Sequence, residues 1–217
     1  SNLGLNFAGA ILEKVSGVRF DRYVKDNVII PLGLHAGHNI DELDMSKCAS
    51  IYRLRDGEYV ESSAYGSVAH RLDDYVMGYS APMFSPTGGV KISAHDLATY
   101  MMMHMNYGEL NGVRIISEES AKAMQTPVWI KLTDDYYEDQ YGLCLMEFVD
   151  YLDDPQYNTP GNYPVGHTGD AYGLRSIMIW SPKDQWGIVA MTNGYTYNEN
   201  KSIPQTLANA IYKAAIK

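Results

Sequence analysis

The spacing of the hydrophobic residues changes along this chain, and that change limits the fold more than any other feature. In the ordered stretches before about residue 136, apolar residues recur three and four apart; from about Tyr137 they alternate or run together as in strands. The first helix is expected over residues 2–16, with Phe7, Ala8, Ile11, Leu12 and Val15 on one face and Gly17 placed to end it. A second, short helix runs through Phe20, Tyr23, Val24 and Val28 and stops at Pro31-Leu32-Gly33-Leu34. Asp56-Gly57, between Tyr52-Arg53-Leu54 and Tyr59-Val60, predicts a hairpin. Ser93, with Asp96 three residues on, caps a helix carrying Leu97, Tyr100, Met101 and His104; Ser117 caps another.

Strands are expected at 141–149, 163–169, 172–180 and 186–191, the last two joined by a turn at Ser181-Pro182-Lys183-Asp184. A closing helix sets Leu207, Ala210, Ile211 and Ala214 on one side. Helices, then an antiparallel meander, then a helix make an α+β fold, an antiparallel sheet flanked by helices. Residues 1–136 form its mainly helical part, and residues 137–217 the strands and terminal helix of the same domain.

The net charge of −9 and the absence of any Lys/Arg-rich run argue against nucleic acid, whose affinity depends on clustered cations. No apolar run reaches the roughly 20 residues of a membrane span. Cys48 and Cys144 fit no metal-ligand spacing, which leaves a buried thiol pair or one disulfide. His35, His38, His70, His95 and His104 are too dispersed for a zinc site, and neither a metal nor a cofactor is expected. The eighteen Tyr and eleven Met, including the run Met101-Met102-Met103-His104-Met105, read as core and half-buried surface.

Chemistry concentrates at Val165-Gly166-His167-Thr168-Gly169-Asp170. His167 is titratable near neutral pH, Thr168 offers a hydroxyl, Gly169 lets a ligand approach the backbone, and the N–H of Asp170 can face an oxyanion. This segment has company in a definite order. Ser1-Asn2-Leu3-Gly4 is followed by Val15-Ser16-Gly17, Pro31-Leu32-Gly33-Leu34, Pro86-Thr87-Gly88-Gly89, Tyr141-Gly142-Leu143 and Gly166-His167-Thr168-Gly169. The set resembles the class C β-lactamase, DD-peptidase and esterase superfamily of penicillin-binding-protein type, over nearly the whole chain.

The resemblance implies a serine acyl-transfer hydrolase acting on a β-lactam, a D-amino-acid peptide or an ester. Its members carry Ser-x-x-Lys, Tyr-x-Asn and Lys-Thr-Gly or His-Thr-Gly, a close relative of the class A set. His167-Thr168-Gly169 matches the third motif, with the backbone N–H of Asp170 as half of the oxyanion hole. Ser1-Asn2 resembles the end of the second, which makes Asn2 the substrate-positioning amide. Asn193 resembles a strand-end Asn near the substrate carboxylate.

The departures are as informative. None of the ten lysines has Ser three residues before it, and no Tyr has Asn two residues after it. A hydroxyl nucleophile needs a base beside it. The chain is therefore expected to be a C-terminal fragment whose nucleophile lies before Ser1, and inactive as it stands. The alternative is a non-catalytic binding or sensor domain of the same fold. Family habit implies an extracytoplasmic parent. In the family, N-terminal strands join the sheet beside the strand at 186–191, so an open edge there and self-association through it are expected.

Overall fold

The computed structural model describes residues 1–62, 65–133, 136–194 and 203–217, with only the backbone of 129–133 and 136–139. In chain order it forms α1 (Asn2–Ser16), α2 (Phe20–Val24), β1 (Ala36–Gly37), β2 (Tyr52–Arg55), β3 (Glu58–Glu61) and β4 (Lys91–Ile92). There follow α3 (Ala94–Met105), β5 (Glu109–Leu110), β6 (Val113–Arg114), α4 (Glu118–Gln125), β7 (Trp129–Thr133) and β8 (Tyr136–Tyr141). The chain closes with β9 (Met146–Glu147), β10 (Val165–Ala171), β11 (Leu174–Ser181), β12 (Trp186–Thr192) and α5 (Ile203–Ala215). This is the expected α+β class. Two compact units divide it, residues 1–50 with 62–96 and residues 51–61 with 97–217.

In the first unit α1 ends where expected, at Gly17 with φ 69°, whose N–H donates to Glu13 O. The face it buries is not the one its apolar residues mark. Leu3, Phe7, Ile11 and Val15, four apart, are 60–84% exposed. The inward side carries Gly9 and Glu13, with Ala10 and Leu12 packed on the cluster of Phe20, Ala81 and Phe84. Helical spacing identifies a face but does not say which side turns inward, and here a carboxylate decides. Glu13 is buried and accepts from the N–H of Phe20 at 2.8 Å, the N–H of Gly78 at 2.7 Å and the hydroxyl of Tyr75. Its burial is tolerable because three donors replace water.

The second unit is built on a six-stranded antiparallel sheet in the order β12-β11-β10-β9-β8-β7. Strand side chains alternate between faces, and the two faces carry separate cores. Ile177, Ile179 and Ile188 point to α5, where Ala208 and Tyr212 meet them with Phe148, Leu152 and Tyr157. Val165, Met178 and Trp180 point the other way, to Met101 of α3. Gly187 admits Met101, since a Cβ there would lie 2.3 Å from the Met101 methyl carbon. The Ser93–Asp96 capping box and the Ser117 cap form as their spacing predicts.

The expected strand at 141–149 is mostly absent. Residues 142–145 form a tight turn, Cys144 has φ 64°, and a Cβ on Gly142 would lie 2.2 Å from Met124 O. The strand is broken because this loop is pressed under the end of α4. Neither expectation for the cysteines holds: both are free thiols, Cys48 half-buried and Cys144 exposed.

His104 is 2% exposed, stacks on Trp180 and meets Tyr100 edge-on, and neither ring nitrogen has a hydrogen-bond partner among the described residues. Burial pushes it down to about 4. His38, also largely buried, is likewise pushed down to about 4, although its Nδ1 lies 3.0 Å from Phe84 O. The unfolded chain takes up these protons below about pH 6.5 while the folded one resists until about pH 4. Their contribution to stability is therefore full above pH 6.5 and falls as the pH drops toward 4. Urea midpoints measured across this window should show the fall, and His104→Leu should remove a share on the order of 3 kcal/mol from it.

Candidate active site

All the residues of the sequence-derived site except Asn2 lie in the second unit, and β10 organises them. Its hydrogen-bonding sides can be assigned from its turn. Ala171 and Leu174 flank a two-residue turn, Tyr172-Gly173, with φ 60° and 105°, the positive pair of a type I′ hairpin. The flanking pair exchanges hydrogen bonds, so Ala171, and by alternation Gly169 and His167, turn their N–H and C=O toward β11. Thr168 and Asp170 therefore turn theirs to the opposite side. The β9 side gives the same phase, because Phe148 N–H donates to Pro164 O at 2.8 Å.

On that opposite side β9 accompanies β10 only through Val165↔Glu147 and Gly166↔Met146. The left-handed Cys144 then carries the chain away. Beyond Gly166, β10 is thus paired on one side only among the described residues. The N–H groups of Thr168 and Asp170 face outward along an open edge, which can bind an extended acyl or peptide group as an added strand.

The side chains suit that edge. His167, Thr168, Asp170 and Ala171 are exposed. The His167 Nδ1 donates to Thr168 O, since a carbonyl can only accept, and the ring lies against the open edge. Gly166 is closed to any side chain: a Cβ there would lie 1.9 Å from Met178 O. The Asp170 carboxylate would oppose negative charge developing beside its own N–H, but Arg175, directly across on β11 and largely buried, holds it at 3.0 Å.

Asn193 lies just past β12 and accepts the Tyr52 N–H through Oδ1 at 2.8 Å, fastening the β2–β3 hairpin to this end of the sheet. The hairpin also sits on the β10–β11 turn, where a Cβ on Gly173 would lie 2.0 Å from Tyr52 O. Arg53 stands 5.6 Å from the Tyr172 ring, and Tyr52, Tyr59 and Tyr172 are exposed around it. The sequence reading found this hairpin through Asp56-Gly57 but had no signal for where it docks. It also missed Arg175, whose part follows only from register. Asn2 is exposed on the first turn of α1, in the first unit.

Gly166→Ala should force β10 and β11 apart and cost about 3 kcal/mol, the upper part of the range for overpacking. A thermal melt of the variant, with no loss of Tm, would show that the strand can yield there.

Comparison with known proteins agrees with this fold. The family model described as Beta-lactamase matches residues 1–211. "Beta-lactamase-like protein 2" of Dictyostelium discoideum is 26% identical over 107 residues, 49% of this chain and 17% of that protein. A class C β-lactamase superposes with a TM-score of 0.66 at 18% identity, over all of this chain and 57% of its own. A penicillin-binding protein from Bacillus halodurans gives 0.63 at 19% identity, over 95% and 52%. The chain thus spans little more than half the length of these solved structures, and far less of the Dictyostelium protein.

Proposed function

The chain belongs to the Beta-lactamase family, and we propose that it supplies the substrate-binding strand of a serine acyl-transfer hydrolase. The nucleophile lies outside these 217 residues, and the chain alone is inactive. The observation that carries this reading is the open edge of β10, with the Thr168 and Asp170 N–H groups turned outward beside His167.

In the proposed reaction the serine oxygen bonds to the substrate carbonyl carbon, and the leaving group departs with a proton. Water then breaks the resulting ester. The Asp170 N–H donates to the carbonyl oxygen as it gains charge, a contribution that is largest where the donor is fixed beforehand. The β11 ladder fixes this one, with the Asp170 carboxylate held by Arg175. Asn193 positions the far end of the substrate. The substrate class is a β-lactam, a D-amino-acid peptide or an ester, met outside the cytoplasm.

Intact-protein mass spectrometry after exposure to benzylpenicillin tests the reading. This chain should stay at its own mass, whereas a longer polypeptide carrying it with Ser-x-x-Lys should gain one acyl group. An adduct on this chain would place the nucleophile within it and refute the assignment. In the active longer polypeptide, His167→Ala should lower kcat/KM by about tenfold or more, and an unchanged value would remove His167 from the site. A folded longer polypeptide that neither acylates nor hydrolyses esters would favour the second reading, a binding domain, which the lack of Ser-x-x-Lys among the 217 residues supports.

We also propose that the chain self-associates through β12, one of the two edge strands of the sheet among the described residues, since an unpaired strand edge is a template for another. Light scattering at micromolar concentration should find dimers. A monodisperse monomer would count against the pairing.

A further inference from the structure

At the other end of β10 the second unit carries a groove of about 460 Å³ that the acyl-transfer reading does not use. It lies beside Val165, the first residue of β10, away from the open edge at Thr168 and Asp170. One wall comes from the end of α4, with Lys122 and Gln125, and another from Asn162 and Lys183. Its size falls within the range of small-molecule sites.

Its polar groups are unevenly satisfied. Lys122 is paired with Glu118 at 2.5 Å, and Gln125 donates to His104 O at 2.8 Å. Glu147, by contrast, is half-buried on β9 beside Val165, and no hydrogen bond or ion pair engages its carboxylate among the described residues. Burial raises its pKa. The Oδ1 of Asn162 is buried without a partner, while its amide nitrogen donates to Gln156 O.

The Glu147 carboxylate in the wall of this groove thus carries a desolvation cost that a hydrogen-bond donor from a ligand would relieve. The rim supplies the opposite charge: Lys183, in the β11–β12 turn, forms no ion pair among the described residues and lines the same groove. A carboxylate within and an ammonium at the rim match a ligand with the complementary pair of ends.

We infer that this groove is a second binding site, separate from the acyl-transfer edge, for a small zwitterion of amino-acid or dipeptide size. The ligand's ammonium meets Glu147, and its carboxylate meets Lys183. No covalent step is involved.

The probe is alanylalanine, titrated into this chain by isothermal calorimetry, with its N-acetylated and C-amidated forms as controls. Saturable binding of the free dipeptide is expected, with N-acetylation or Glu147→Gln weakening it about tenfold, the worth of one charge-assisted contact. Lys183→Ala and C-amidation should each weaken it several-fold. Glu147→Gln removes an unpaired half-buried charge, so its melting temperature should equal or exceed that of the parent, which separates lost binding from lost folding. The assignment is overturned by no saturable binding, by equal binding of the acetylated dipeptide, or by equal binding to Glu147→Gln.

Discussion

Everything at the candidate active site depends on β10 being a strand with two different sides. Toward β11 it is paired continuously from Val165 to Ala171, a ladder closed by the tight turn at Tyr172-Gly173. Toward β9 it is paired for two residues and then released. Full pairing on both sides would leave no backbone donor for a substrate, and none on either would leave a loose segment with donors pointing nowhere. The half-paired arrangement provides donors that are both rigid and accessible, the condition for stabilising charge that appears only during reaction.

The two cores serve that arrangement. Ile177 and Ile179 anchor one face of β11 on α5, while Met178 and Trp180 anchor the other on the α3 side. The partner strand of β10 is thus clamped from both faces while β10 itself emerges into solvent at His167. Arg175 continues the pattern at the exposed end, where a charged pair replaces apolar packing and restrains Asp170.

Much of this was legible in the sequence wherever a local rule governs. The stop at Gly17, the caps at Ser93 and Ser117, the Asp56-Gly57 hairpin and the last three strands before α5 each depend on residues a few positions apart. The misreadings share a cause. Leu143-Cys144-Leu145 has strand composition, yet the strand breaks there under α4, a contact formed through residues about twenty positions away. The apolar stripe of α1 is real, but the burial of Glu13 depends on Phe20, Tyr75 and Gly78. At the site, His167-Thr168-Gly169 was readable as a motif, whereas the open edge beside it, the docking of the β2–β3 hairpin and the facing Arg175 are properties of register and distance.

The missing side chain at Gly166 limits how such a chain can drift over evolutionary time. When a new Cβ strikes a flexible side chain, a second substitution nearby can make room. At Gly166 it strikes the peptide backbone of Met178 and Ile179, and no substitution in β11 removes a backbone atom. Lineages descending from this sequence can exchange His167 or Thr168 on the exposed strand and so explore new chemistry. The glycine immediately before them is the fixed point about which that exploration turns.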